Sequence, residues 1–275
     1  MTMHIGCHVS IVGGVQNAPE RAAALGAEVM QIFTRSPQGG KAPELTADII
    51  QEFKAQVAKH KLQGIYVHTP YYINFASGNN RIRYGSVSVV RDELERASLL
   101  GAKYVMTHLG SGKDLGRAGA IQKTVEMLDK TLTGYIGSTK LLIENSAGAG
   151  EIIGDTLEEI AEIIRLVGSS TIAGICLDTQ HSFASGYDWR DFTETIQRVD
   201  SELGIDKIKL MHANDSQTEL GSKKDRHEHI GEGKIGSEAF RNIVTFAKQH
   251  DIDMLCETEH DRVVEDMQLL AKMRD

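Results

Sequence analysis

The sequence predicts an α/β protein built as one (β/α)₈ barrel over residues 1–275, with an active site at the C-terminal mouth of its strands. Three observations lead there. Eight short apolar runs alternate with longer helical patterns, the signature of a parallel sheet with crossover helices. Eight such units suggest closure into a barrel, with a doubly wound open sheet as the alternative. Six consecutive runs, the third to the eighth, finish in His, Asp or Glu, and in a barrel those positions converge on one rim.

Taken in order, the strand-like runs cover residues 4–8, 29–34, 64–68, 104–108, 141–144, 172–178, 208–212 and 253–257. Helical patterns between them include 46–60, 87–100, 156–167, 189–203 and 237–250. Thr156 and Glu159 have the spacing of a capping box, which marks a helix start. Gly26, Gly101, Gly168 and Gly204 follow helical patterns, where a left-handed cap favours glycine. With only 4 prolines and no linker or low-complexity tract, the rhythm predicts a single domain.

Composition sets outer limits. The 41% hydrophobic and 25% charged content is ordinary for a globular protein and ample for a large core. No run approaches the ~18 apolar residues that span a bilayer, so no membrane partner is expected. The opening Met1-Thr2-Met3-His4-Ile5-Gly6 leads straight into a strand-like run without a signal-peptide pattern. Cys7, Cys176 and Cys256 lie far apart in apolar segments, as buried, reduced thiols of a cytoplasmic protein would. A net charge of −8 looks unfavourable for nucleic-acid binding, because phosphate contacts need Lys and Arg. Three divalent ions at one face would take −8 to −2, and local field matters more than net charge. Composition therefore neither supports nor excludes nucleic acid.

The chemistry gathers where strands end. Strands three to eight finish at His68, His108, Glu144, Asp178, His212 and Glu257, spaced 40, 36, 34, 34 and 45 residues apart. Each interval is about one strand-loop-helix unit. A lone His or Asp at a strand end is usually a cap or a hydrogen-bonded anchor. Six in consecutive units resist that explanation, because an unpaired polar group in a buried strand is costly. Two loops extend the set. His181 follows Asp178 by three residues, and Asp225-Arg226-His227 lies in the polar loop after strand seven. In an extended segment Asp225 and His227 share a face, which leaves Arg226 free for a phosphate; His229 shares the face of His227 and competes with it. The total is five imidazoles and four carboxylates. That donor set suits zinc, and also manganese or iron. It exceeds what one tetrahedral ion uses and fits two or three ions, with a carboxylate bridging one pair. Sites of this kind characteristically hydrolyse phosphate esters. His4, His8, His60, His229, His250 and His260 read as surface or hydrogen-bonded residues, except that His8 ends strand one and faces the same mouth.

Several strings then coincide in order along nearly the whole chain. They are Ile5-Gly6-Cys7-His8-Val9-Ser10 with Gly13-Gly14, Thr107-His108-Leu109-Gly110-Ser111, Glu144-Asn145-Ser146-Ala147-Gly148 and Cys176-Leu177-Asp178-Thr179-Gln180-His181. The most specific are His212-Ala213-Asn214-Asp215-Ser216 and Asp225-Arg226-His227-Glu228-His229-Ile230-Gly231-Glu232-Gly233. On these the chain resembles endonuclease IV, the zinc-dependent abasic-site endonucleases among the xylose-isomerase-like TIM barrels. The resemblance implies three zinc ions per chain. His68, His108 and Glu144 would hold the first; Glu144, the expected catalytic residue, would bridge to a second held also by Asp178, His212 and Glu257. His181, Asp225 and His227 would hold the third, which favours His227 over His229. It also implies cleavage of the phosphodiester 5′ to an abasic site in double-stranded DNA, leaving a 3′-hydroxyl and a 5′-deoxyribose phosphate.

The chain departs from that pattern in two places. Ser36-Pro37-Gln38-Gly39-Gly40 stands where many members carry Arg and Trp, and Thr258-Glu259-His260 stands where a Pro often follows the last carboxylate. With no large ring in the strand-two loop, Tyr71 and Tyr72 become the expected wedge into the DNA, with Gln38 and Arg226 as further DNA contacts. Lys41, Lys223, Lys224 and Arg35 are candidate phosphate partners, and action as a monomer is expected. The nearest rival is a sugar isomerase or epimerase on the same barrel, with fewer histidines and metals. A non-catalytic metal-dependent binding module is the third reading.

Overall fold

The computed structural model describes residues 3–275. Met1 and Thr2, the start of the run expected to lead straight into the first strand, lie outside the described residues. The strands are β1 (Ile5–His8), β2 (Val29–Ile32), β3 (Gly64–His68), β4 (Tyr104–Thr107) and β5 (Lys140–Glu144). They continue with β6 (Ile172–Asp178), β7 (Ile208–His212), β8 (Asp215–Ser216), β9 (His227–Glu228) and β10 (Met254–Cys256). The helices are α1 (Ala18–Ala24), α2 (Ala47–His60), α3 (Asn80–Leu100), α4 (Gly116–Leu132) and α5 (Leu157–Val167). After them come α6 (Thr179–Ala184), α7 (Phe192–Glu202), α8 (Gly236–Gln249) and α9 (Val263–Arg274).

Eight strands close in the order β1-β10-β7-β6-β5-β4-β3-β2, all parallel. The open-sheet alternative is excluded. The helices pack one beside the next around the outside, and most of the core lies between them and the strands. A second cluster fills the inside of the barrel: Val29, Tyr66, Met106, Leu142, Cys176, Leu210 and Leu255, one from each of seven strands. The eighth position is Gly6, where a Cβ would lie 1.8 Å from the Val29 carbonyl oxygen, so only glycine fits.

Strand side chains alternate faces, so the residue two positions on points inward again, nearer the mouth. Those residues are His8, Gln31, His68, His108, Glu144, Asp178, His212 and Glu257. An apolar plug below and a polar rim above are thus one consequence of period two.

Local details differ from expectation for identifiable reasons. β2 ends at Ile32 rather than at 34, and β4 and β10 stop one residue short of His108 and Glu257. α3 starts seven residues before the expected 87, because the Asn79 side chain accepts from the Arg81 N–H at 2.9 Å. Trp189 precedes α7 instead of opening it; it is buried, and Nε1 donates to Ser182 Oγ at 2.9 Å. The Thr156 hydroxyl caps the Glu159 N–H, but Glu159 turns its carboxylate to the Gly154 N–H and Arg117 instead of closing the box. Gly101 and Gly168 are left-handed caps, and Gly26 has φ +79 just past Leu25, the right-handed C-cap of α1; Gly204 has φ +91 with an extended ψ of 129 and caps no helix in that way. All three cysteines are free and buried, and burial pushes the Cys7 and Cys176 thiols up to about 12. Among the described residues no helix is long and apolar enough to cross a membrane.

Candidate metal centre

The mouth opens into a cavity of about 830 Å³ lined by His8, His68, His108, His181, His227 and Glu257, with Tyr71 and Tyr72 on its rim. Five imidazoles form one continuous chain. His227 and His181 are 5.4 Å apart by ring centres, His181 and His108 5.4 Å, His108 and His68 5.6 Å, and His68 and His212 6.0 Å. The carboxylates thread between them. Glu144 Oε2 meets His68 Nε2 at 2.7 Å and His108 Nε2 at 3.4 Å, while Oε1 meets His212 Nδ1 at 2.9 Å and His181 Nδ1 at 3.6 Å. Glu257 Oε2 lies 3.2 Å from His212 Nδ1. Asp178 Oδ2 lies 3.9 Å from His212 Nδ1 and 3.8 Å from His227 Nε2. Asp225 faces His181 Nε2 at 3.4 Å and His227 Nε2 at 3.5 Å from a more exposed position.

Three groups of donor atoms emerge, each within 4.8 Å: His68, His108 and Glu144; Glu144, Asp178, His212 and Glu257; and Asp178, His181 and His227. The first two match the expected first and second sets. The third contains Asp178 where Asp225 was expected, with Asp225 beside both histidines.

Charge pairing explains the electrostatics. Burial alone would raise the Glu144 carboxyl, but His108, His212 and His68 hold it well below the ordinary range. Partial loss of water at the crowded mouth would raise Asp225 too, although its side chain keeps an exposed edge, and the hydrogen bond and charge of His181 depress it instead. Burial would lower His181, yet Asp178, Asp225 and Glu144 lift it to about 10. His108 is lowered, chiefly by burial against the pull of Glu144. His108 Nδ1 and His227 Nε2 are buried without a hydrogen-bond partner among the described residues, which costs free energy unless something binds there. Imidazole and carboxylate are the donors a zinc-like ion takes. The residues present fit a metal.

Neighbouring groups hold the donors in place. The Thr69 carbonyl lies 2.6 Å from His68 Nδ1 and turns Nε2 inward. Asn145 accepts from the Asp178 N–H at 2.7 Å, and Asn214 donates to Asp178 Oδ2 at 2.7 Å and accepts from the Glu257 N–H at 2.9 Å. Both asparagines sit within strings of the motif but were not singled out as site residues, and neither was Gln31. A polar residue inside an apolar run, two positions past the inward Val29, was the available signal for Gln31.

His229 does not share the face of His227. Its nitrogens are taken by Asp266 Oδ2 at 2.7 Å and Asp261 Oδ1 at 3.3 Å, away from the centre. Tyr71 is 71% exposed and Tyr72 40%; the Tyr71 ring stands edge-on to Phe33 at 5.3 Å. Gln38 is exposed in its loop and outside the cavity lining, although a Cβ on the adjacent Gly39 would lie 3.8 Å from the Tyr72 ring. Arg226 is exposed and donates to the Asp225 carbonyl at 2.6 Å. Arg35 is a correction: it is buried and ion-paired with Asp92 and Glu93, so it is not free for phosphate.

The family model for the xylose isomerase-like TIM barrel matches residues 19–273. A probable endonuclease 4 of Halothermothrix orenii is 35% identical over 98% of this chain and 100% of its own length. Endonuclease IV from Thermus thermophilus superposes with a TM-score of 0.87 at 30% identity, covering 98% of each chain. A D-tagatose 3-epimerase-like protein superposes with a TM-score of 0.76 at 22% identity, covering 98% of this chain and 97% of its own, a likeness of fold alone.

Proposed function

The chain belongs to the endonuclease IV family of xylose isomerase-like TIM barrels, and from that premise we propose that it hydrolyses the phosphodiester 5′ to an abasic site in double-stranded DNA. The products are a 3′-hydroxyl and a 5′-deoxyribose phosphate. The observation that carries the reading is the convergence of three donor groups, each within 4.8 Å, at one cavity.

Three zinc ions would be held: one by His68, His108 and Glu144, one by Glu144, Asp178, His212 and Glu257, and one by His181, Asp225 and His227, with Asp178 also in reach of that last pair of imidazoles. Manganese or iron suits the same donors in part. Bound divalent ions supply a water activated near neutral pH and offset charge developing on the phosphate. The chain's own residues do the rest. Glu144 has one oxygen toward each of two donor groups, which suits it to bridge, and Asp178 is oriented by Asn145 and Asn214. Tyr71 and Tyr72 occupy the gap left when the abasic nucleotide leaves the stack, with Gln38 and Arg226 contacting the backbone nearby. One chain supplies every donor, so the centre needs no second copy to be complete. The histidine-rich third group argues against a sugar isomerase.

A duplex with a single abasic site tests this. Cleavage should occur with zinc-loaded protein and stop on chelation. Glu144→Gln should cost more than the ~10²–10³ lost with one preorganised donor, while duplex binding persists because other groups also hold DNA. Near-normal turnover in that variant would remove Glu144 from the reaction.

A further inference from the structure

Seven of the eight inward positions at the mouth carry His, Asp or Glu; the remaining one, on β2, is Gln31, fully buried. We propose that Gln31 is a positioning residue of the metal centre, whose amide fixes the ring nitrogen that His212 presents to the Glu144, Asp178 and Glu257 carboxylates. The inference deepens the metal reading above and rests on it.

Donor and acceptor capacity sets the orientation of the amide. Gln31 Nε2 lies 2.6 Å from Glu257 Oε1 and 3.1 Å from His8 Nδ1, and Oε1 lies 2.8 Å from His212 Nε2. An amide has two N–H donors on nitrogen and acceptor capacity on oxygen. A carboxylate only accepts, so the nitrogen must face Glu257; the flipped amide would set two acceptors against each other. The oxygen then faces His212 Nε2, which must carry a proton. In the neutral ring that leaves the lone pair on Nδ1, the atom 2.9 Å from Glu144 Oε1 and 3.2 Å from Glu257 Oε2. The same amide donates to His8 Nδ1, so the neutral His8 ring keeps its proton on Nε2. One buried side chain thereby orients two imidazoles and tethers a carboxylate. Partners that orient ligands in this way typically affect metal affinity by about 10–100-fold.

Two measurements decide it, starting from zinc-loaded wild-type protein. Nitrogen-15 NMR of the imidazoles should show His212 protonated at Nε2 and free of a proton at Nδ1. A proton on Nδ1 in zinc-loaded protein would overturn the proposal whatever any variant does. Gln31→Leu removes all three hydrogen bonds, and Gln31→Glu keeps the acceptor for His212 but sets a carboxylate against Glu257. Both should release one of the bound zinc ions to a competing chelator at about 10–100-fold lower chelator concentration than wild type. Unchanged retention in whichever variant folds would also overturn it, even if its metal-free melting temperature has shifted, because packing alone would move only the latter. Wild-type protein that binds no zinc would instead fail the metal-centre reading, a separate outcome.

Discussion

Burial in the barrel mouth depresses the His8 imidazole to about 4; Glu257 pulls the other way, while His68, His212 and His260 add to the effect of burial. The neutral ring fits its acceptor role toward Gln31. A folded-state value below the ordinary 6.5 has a definite sign. The stability from keeping His8 neutral is fully present above pH 6.5 and is lost as pH falls through about 4. Metal-free wild-type protein should therefore lose stability relative to His8→Gln as pH is lowered across that window. Denaturant titrations at several pH values check this, and parallel pH profiles for the two proteins would contradict it. Comparing the two removes the carboxylates that titrate in the same range, since both proteins carry them.

At the scale of elements, the donors divide between rigid strands and anchored loops. Strand ends present His68, Glu144, Asp178 and His212, whereas His227 arrives on β9, paired with β8 after a loop. The anchor of the return segment is Asp215, whose buried carboxylate accepts from the N–H groups of Gly231, Gly233, Ile235 and Gly236. The loop after β3 has a different character. Tyr71 is 71% exposed yet braced edge-on by Phe33, as a wedge must be if it is to meet bases without collapsing into the core. Aromatic stacking on a base contributes ~1–3 kcal/mol, so Tyr71→Ala should raise KM for abasic duplex by roughly ten-fold. Zinc content should not change, and the melting temperature should move little because a mostly exposed ring is lost. A large fall in melting temperature with unchanged kinetics per folded molecule would place Tyr71 in the core and the wedge elsewhere.

For the whole molecule the electrostatic problem is a net charge of −8 facing a polyanion. Among the described residues that line the cavity none is Lys or Arg. On the proposed reading, attraction at the floor would come from bound ions, and attraction around it from loop cations such as Lys41, Lys224 and Arg226, all exposed, with Lys223 held 3.6 Å from Asp155. Each phosphate so neutralised releases counterions, so DNA affinity should fall steeply with added salt despite the acidic balance. Binding isotherms for metal-loaded protein across a salt series measure the slope. A flat dependence would count against DNA as the substrate.

Reading the chain alone was enough for the barrel and for six of its eight mouth positions, and it placed His8 at the same mouth. Period-two alternation and the cost of burying an unpaired polar group are local rules that leave a trace in every strand. Gln31 escaped because a neutral amide in an apolar run carries no obvious chemistry; its meaning appears only when closure brings β1, β7 and the end of β10 around it. The choice of His227 over His229 rested on resemblance, since alternation put both on one face. Tertiary packing separated them by turning His229 to Asp266 and Asp261. Arg35 looked like a free cation in the sequence, and α3 buried it against Asp92 and Glu93. Ligand types at a strand end follow from strand periodicity, which is local. Which nitrogen faces the centre, and which charge stays free for DNA, depends on neighbours tens to hundreds of residues away, and only the closed barrel supplies them.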